Sequence, residues 1–281
     1  MSVHDLFWSE SKYRLFQFCP LAFHFHYYES WHGWKIETSE LAEKLYEQKK
    51  QKSLEELIDE IFWNCLQQVI EELRRSTEGV SEKSLRYKLK QQFINYHLPF
   101  DEAHLNEMNK LYQHLIFLLN SSFFKSFLSL PESDCLALHK LDYFLLGNMK
   151  IWGVLPLVYM NHNQQLKVVY FRQESSHKLE LKIPFVFDYL MHHYSVNFEQ
   201  IEVYELKLWQ SHPVLERREF DITNLMDYQE LILDSFQQME TFEKEGKDQV
   251  CAGDQCMECR FYKNCPHALE MKAEDDELSP S

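Results

Sequence analysis

The tightest constraint on this chain is a spacing near its end: in "CMECRFYKNC" the residues Cys256, Cys259 and Cys265 follow C-x2-C-x5-C. Three thiols at that spacing converge on one soft-metal centre when the segment turns tightly, and such a centre takes a fourth donor. The candidate fourth donor stands at the opposite end of the chain: Cys19, followed by Pro20, in the aromatic-rich stretch "KYRLFQFCPLAFHFHYYESWHGW". If the Cys19 thiolate joins the other three, the two ends of the chain have to fold together. Cys251 and His267 are reserve ligands. With Cys251 included, a local C-x4-C-x2-C-x5-C site holds zinc, and Cys19 is then a buried core residue. Four thiolates suit an iron–sulfur cluster or zinc, and spacing alone does not choose between them. Cys65 falls on an apolar stripe and Cys135 begins a strand, so both read as core thiols.

Composition narrows the setting. Seven cysteines, an odd number clustered late in a chain of 281 residues, point to metal ligation in a reducing compartment rather than to a secreted disulfide framework. No apolar run approaches the roughly 18 residues of a membrane span, and "MSVHDLFWSESKYRLF" lacks a signal-peptide pattern, so the expectation is a cytoplasmic protein with no membrane partner. The formal charge of -15 opposes unaided binding of nucleic acid. Local charge differs from the total: "EKSLRYKLKQQ" carries Lys83, Arg86, Lys88 and Lys90, and Arg74 and Arg75 lie upstream. With six glycines there is little material for phosphate-cradling loops, and no Walker loop, dinucleotide fingerprint or nucleophile elbow is present.

The pattern along the chain changes once. Ser53 and Glu56 form a capping box ahead of Leu54, Leu57, Ile58, Ile61, Phe62, Cys65, Leu66, Val69, Ile70 and Leu73, a long amphipathic helix. Helical patterns follow at about 81–97 and 101–128. From Cys135 three β-rich runs, separated by turns at Gly147-Asn148 and Asn161-His162-Asn163, predict a β-meander. "IPFVFDYLMHHYSV" then reads as a helix, "QIEVYELKLWQ" and "LERREFDIT" as strands, and "NLMDYQELILDSFQQMETFEKEG" as a helix. The expected organisation is one compact α/β or α+β unit: an N-terminal segment 1–34, a helical insertion 35–130, meander, helix and strands 131–222, a helix and Cys-rich segment 223–270, and a disordered acidic tail 271–281.

These features resemble the iron–sulfur branch of the PD-(D/E)XK nuclease superfamily, which includes RecB-like exonucleases of CRISPR adaptation and the AddB nuclease domain. The resemblance covers about residues 8–267. It implies a mixed sheet flanked by helices and a 4Fe-4S cluster stapling the two chain ends through Cys19, Cys256, Cys259 and Cys265, with zinc as the alternative. The distant first cysteine favours the cluster, since structural zinc sites more often use two local pairs.

The resemblance also implies where a metal-dependent active site would lie, and there the sequence departs from the pattern. Such nucleases hold Mg²⁺ or Mn²⁺ with carboxylates on adjacent strands beside a lysine. The first carboxylate falls on Pro156, or on Leu155 or Leu157, the second on Tyr170, and the lysine on Arg172. A phenol is a poor ligand for a hard cation, and arginine accepts no proton. The upstream histidine position carries Ile58, next to Asp59, and the later Q-x-x-x-Y places carry Pro184 and Asp188. No catalytic Mg²⁺ is expected. The implied protein is a nuclease fold that no longer cuts, serving as a binding or scaffolding subunit of a DNA-processing or defence complex, with DNA or RNA bound weakly by the isolated chain and firmly only alongside a protein partner. Two other readings compete. One is an active nuclease with a site displaced onto Asp142, Glu174, Glu180, Asp188 or Glu202; the other is a zinc-stapled interaction module. The histidines of "HFHYY" and "LMHHY" suit packing better than ligation. Lys83, Arg86 and Lys90, at i, i+3 and i+7, are the best candidate phosphate contacts. The cluster Tyr27, Tyr28, Trp31 and Trp34 reads as an interface for a protein partner.

Overall fold

The computed structural model describes residues 7–30, 33, 39–75, 80–172, 180–208, 214–245 and 254–265. In chain order the elements are β1 (Phe7–Ser9), α1 (Glu10–Phe18), α2 (Pro20–His24) continued by a π-helical turn over Phe25–Glu29, α3 (Glu40–Lys50), α4 (Leu54–Arg75), α5 (Glu82–Asn95), α6 (Glu102–Asn120) and α7 (Ser122–Leu128). Then come β2 (Cys135–Ala137), β3 (Lys140–Leu146), β4 (Met149–Leu155), β5 (Leu157–Met160), β6 (Leu166–Arg172), α8 (Lys182–Tyr194), β7 (Ile201–Lys207), β8 (Val214–Arg218) and α9 (Ile222–Glu245). The protein is mixed α/β. Two compact units divide it: residues 1–52, 147–151 and 227–281 form one, and 53–146 and 152–226 the other. The expectation of one unit fails to anticipate this because the first unit is assembled from both chain ends, with no linker composition to mark it.

The second unit is built on a five-stranded sheet in the order β2-β5-β6-β7-β8. β5 and β6 are antiparallel, with Leu157 opposite Val169 and Tyr159 opposite Lys167. The Asn161 side chain closes their turn, its Oδ1 accepting from the amides of Asn163 and Gln165 at 2.9 and 3.0 Å. α8 then crosses over, and β7 runs parallel to β6, which makes the sheet mixed. Alternate residues of each strand point to opposite faces. Leu157, Val169, Leu206 and Leu208 pack into one core with Phe62, Leu66, Leu115, Leu118 and Phe127 of α4, α6 and α7. On the other face Tyr170 donates to the Lys182 carbonyl at the start of α8, at 2.7 Å. Gly153 admits α8 closely: a Cβ there would lie 2.6 Å from the Phe185 ring.

Local chemistry sets the element ends. The Ser53–Glu56 capping box is present, Glu56 N donating to Ser53 Oγ at 3.1 Å and Ser53 N to Glu56 Oε2 at 2.7 Å. The helix expected over 101–128 is two. Ser121 turns extended, and its hydroxyl accepts from Phe124 N at 3.1 Å, ending α6 and capping α7. The expected meander is also split. β4 ends at Leu155 and β5 begins beyond Pro156 in a different sheet, since proline has no amide hydrogen to continue a ladder. The strand expected through "LERREFDIT" stops at Arg218, because Asp221 Oδ1 accepts from Thr223 N at 2.9 Å and starts α9.

In the first unit the N-terminal elements pack on α9. Tyr228, Ile232, Ser235 and Met239 recur at helical spacing on its buried side. Trp8, 1% exposed, donates its indole N–H to Ser235 Oγ at 2.9 Å and meets Tyr228 edge-on. Phe16 packs edge-on against Phe23 and Phe242. β1 is hydrogen-bonded to β4. No described helix is long and apolar enough to cross a membrane.

Candidate functional site

Cys19 owes its position to its neighbour. A residue before proline is driven to extended backbone, and proline is tolerated at the first position of a helix, so "CP" separates α1 from α2. Cys19 has φ -162° and caps α2, its Sγ accepting from Ala22 N at 3.4 Å. Segment 254–265 is a chain of tight turns: Cys259 N donates to Cys256 O, Tyr262 N to Cys259 O and Asn264 N to Phe261 O, each at 3.0 Å. Phe261, fully buried, anchors it against Phe25 and Leu45.

These turns bring Cys19, Cys256, Cys259 and Cys265 around one apolar hollow, walled also by Phe18, Ala22, Phe25, Phe261 and Tyr262. None of the four forms a disulfide. Burial raises Cys19 and Cys259 above the ordinary thiol range, and the neighbouring thiols push the same way. Left alone, such thiols stay protonated and unreactive. A bound cation is what would make four thiolates stable here, and a quartet of soft donors with an amide hydrogen bond to sulfur fits an iron–sulfur cluster or zinc. The hollow is small, about 10 Å³, and among the described residues no three His, Cys, Asp or Glu side chains are placed to share a single ion. The four cysteines thus line one hollow without their side chains being placed as ligands of one ion. Cys251 and His267 lie outside the described residues.

Cys65 is fully buried, and burial lifts its thiol to about 12, as a core cysteine requires. Cys135 is half-buried at the start of β2. His24 stacks on Tyr28 and faces Glu243 at 3.1 Å, while His192 and His193 meet the carbonyls of Asp188 and Tyr143. These are packing roles. Tyr27 and Tyr28, expected at an interface, are half-buried among Phe7, Phe23 and His24, because the segment turns its rings inward. Trp31 and Trp34 lie outside the described residues.

In the second unit, the positions where the resemblance would put a nuclease active site are occupied by structural interactions. The Pro156 carbonyl accepts from His139 N at 3.3 Å. The Tyr170 hydroxyl is held by Lys182 O. Arg172, buried, donates to Glu205 Oε1 at 2.7 Å, and Arg218 donates to the other oxygen of the same carboxylate. Glu205 has no exposure and is the buried carboxylate that reading by sequence missed; the β6–β7 register that sets it opposite Tyr170 is not written in the local sequence. Of the displaced-site candidates, Asp142 accepts from Lys140 and Tyr189, and Glu202 accepts from Lys167 and Tyr204. Hydrogen bonds from Lys167 and then Tyr204 hold Glu202 below the usual carboxylate range. Asp188 is buried on α8, as is Pro184, and Glu180 is exposed. Ile58 and Asp59 are half-buried on α4. Glu174 lies outside the described residues.

Lys83, Arg86 and Lys90 lie exposed on α5, opposite its buried Leu85, Leu89 and Phe93. Arg86 rests over the Tyr112 ring at 3.7 Å and Lys90 over Phe100 at 5.8 Å. Lys88 is turned aside to Glu72 at 2.9 Å. The chain matches no protein-family model and no curated protein.

Proposed function

We propose that this protein is a non-cutting, nuclease-like binding or scaffolding subunit, stapled by a structural tetrathiolate centre on Cys19, Cys256, Cys259 and Cys265, in a DNA-processing or defence complex. The observation that carries the reading is the meeting of four thiols from opposite ends of the chain around one hollow. A mixed sheet flanked by helices is in keeping with a PD-(D/E)XK-like fold. The loss of cutting is supported by chemistry: Pro156 offers no side-chain oxygen, the Tyr170 hydroxyl is already a donor, and Arg172 is neutralised by Glu205. Restoring aspartates and a lysine at these three positions alone would not revive a metal site, whose ligands need supporting partners.

A 4Fe-4S cluster is the centre we favour, and when bound it would supply structural cross-linking of the chain ends. Zinc is the second reading, favoured by the narrowness of the hollow, which a single ion fills with less displacement. Anaerobically purified protein should be brown and contain about four irons per chain; colourless protein with one tightly bound zinc selects the second reading, and protein with neither metal rejects both. With Mg²⁺ or Mn²⁺, single- or double-stranded DNA or RNA should remain uncut. Cleavage abolished by mutating Asp142 or Glu174 would instead establish a displaced active site.

A further inference from the structure

On α5 the cations share their face with a ring. Successive helical residues turn by about 100°, so Lys83, Arg86, Tyr87 and Lys90 fall within an arc of roughly 100°, and Lys83 and Lys90 stand about 10 Å apart along the axis. Tyr87 is 63% exposed, and among the described residues none makes a ring contact or hydrogen bond with it. No described carboxylate forms a salt bridge with Lys83, Arg86 or Lys90, although Glu82 neighbours Arg86 through Tyr112. The rings of Tyr112 and Phe100 beneath Arg86 and Lys90 hold those two side chains along the helix, which lowers the entropy lost when their heads meet an anion.

We propose that this face takes single-stranded nucleic acid, with one unpaired base stacked on Tyr87 between phosphates held by Lys83 and by Arg86 and Lys90. The inference rests on the nucleic-acid reading above and names its ligand class. Charge decides the sign of the occupant: a row of cations without a salt bridge among the described residues, on a protein of net charge -15, selects an anion. The ring decides its kind. A duplex keeps its bases stacked on one another and offers a helix phosphates alone, whereas a single strand presents base faces that an exposed aromatic can stack.

The test uses the full-length protein at low ionic strength, where screening of a weak site is least, with fluorescent oligothymidylate and a duplex of equal length read by anisotropy. Tyr87→Ala should weaken single-strand binding by about 5- to 100-fold, as loss of one stacked base does, without changing the salt slope, and Tyr87→Phe should restore it. K83E/R86E/K90E should flatten the slope by about 2 units. If Tyr87→Ala leaves single-strand affinity unchanged while the triple variant loses it, or if the duplex binds more tightly, the stacking proposal is overturned and the nucleic-acid reading stands. If neither oligonucleotide binds and the triple variant instead releases a co-purifying protein, both fall, and an acidic protein is the occupant.

Discussion

The two units solve the problem of a stable interior with different materials. The second fills the space between sheet and helices with aliphatic and aromatic side chains and neutralises its buried charge internally, Glu205 lying between Arg172 and Arg218. The first depends on rings and on contacts between residues more than two hundred positions apart, such as Trp8 with Ser235 and His24 with Glu243, and it encloses a hollow lined by thiols. Contacts that distant carry a large loop-closure cost, which a metal clip would offset. The contrast places the candidate centre in the unit with most need of a staple.

Removing the clip should have the largest effect. If the proposed centre forms, Cys19→Ser, or chelation of its metal, should destabilise the first unit by on the order of 4 kcal/mol, the scale of constraint that closing a long loop supplies. Hydrogen exchange should show protection lost in α1, α2 and segment 254–265 and retained in β5 to β7. Equal stability of Cys19→Ser and wild type after metal loading would show that Cys19 is not a ligand.

Next in size is the charge core of the second unit. Glu205→Gln leaves the buried Arg172 without its counter-charge and should cost about 3 kcal/mol in urea unfolding. A cost near zero would mean that Arg172 finds another partner, and the internal neutralisation ascribed to this unit would be wrong.

The smallest effect concerns Lys12 in the first unit. It is 5% exposed, with its ammonium over the Phe7 ring at 4.1 Å and donating to Phe7 O at 3.1 Å. Burial lowers Lys12 to about 8, against the opposing pull of Glu243 and Glu240. Because the unfolded chain holds that proton more tightly, its contribution to stability is least favourable below pH 8 and improves as pH rises from about 8 to 10.5. Lys12→Met should therefore raise stability at pH 7 by about 1 kcal/mol, with the advantage shrinking by pH 10. Destabilisation at pH 7 would show that the cation–ring contacts outweigh desolvation.

What was legible in the sequence follows from the range over which each signal acts. The α4 capping box, the helices α4 and α5 and the change to strands at Cys135 are written in neighbours three or four residues apart, and they are found where the pattern puts them. The C-x2-C-x5-C spacing and the extended backbone of Cys19 before Pro20 are likewise local. The helix Glu40–Lys50, capped by Ser39, was hidden within a region read only as helical.

Tertiary structure alone decided the rest. Pro156 ends β4, but that β5 then lies between β2 and β6 in a different sheet is visible only in the fold. Tyr27 and Tyr28 pack inward because α1 and the π-helical turn enclose Phe23. Glu205 becomes a buried counter-ion only when a parallel crossover sets it opposite Tyr170, between two arginines. A sequence declares hydrogen-bonding and apolar periodicities along the chain, whereas the pairing of distant side chains is set by which buried groups leave no charge or donor unsatisfied, and that condition exists only in the folded interior.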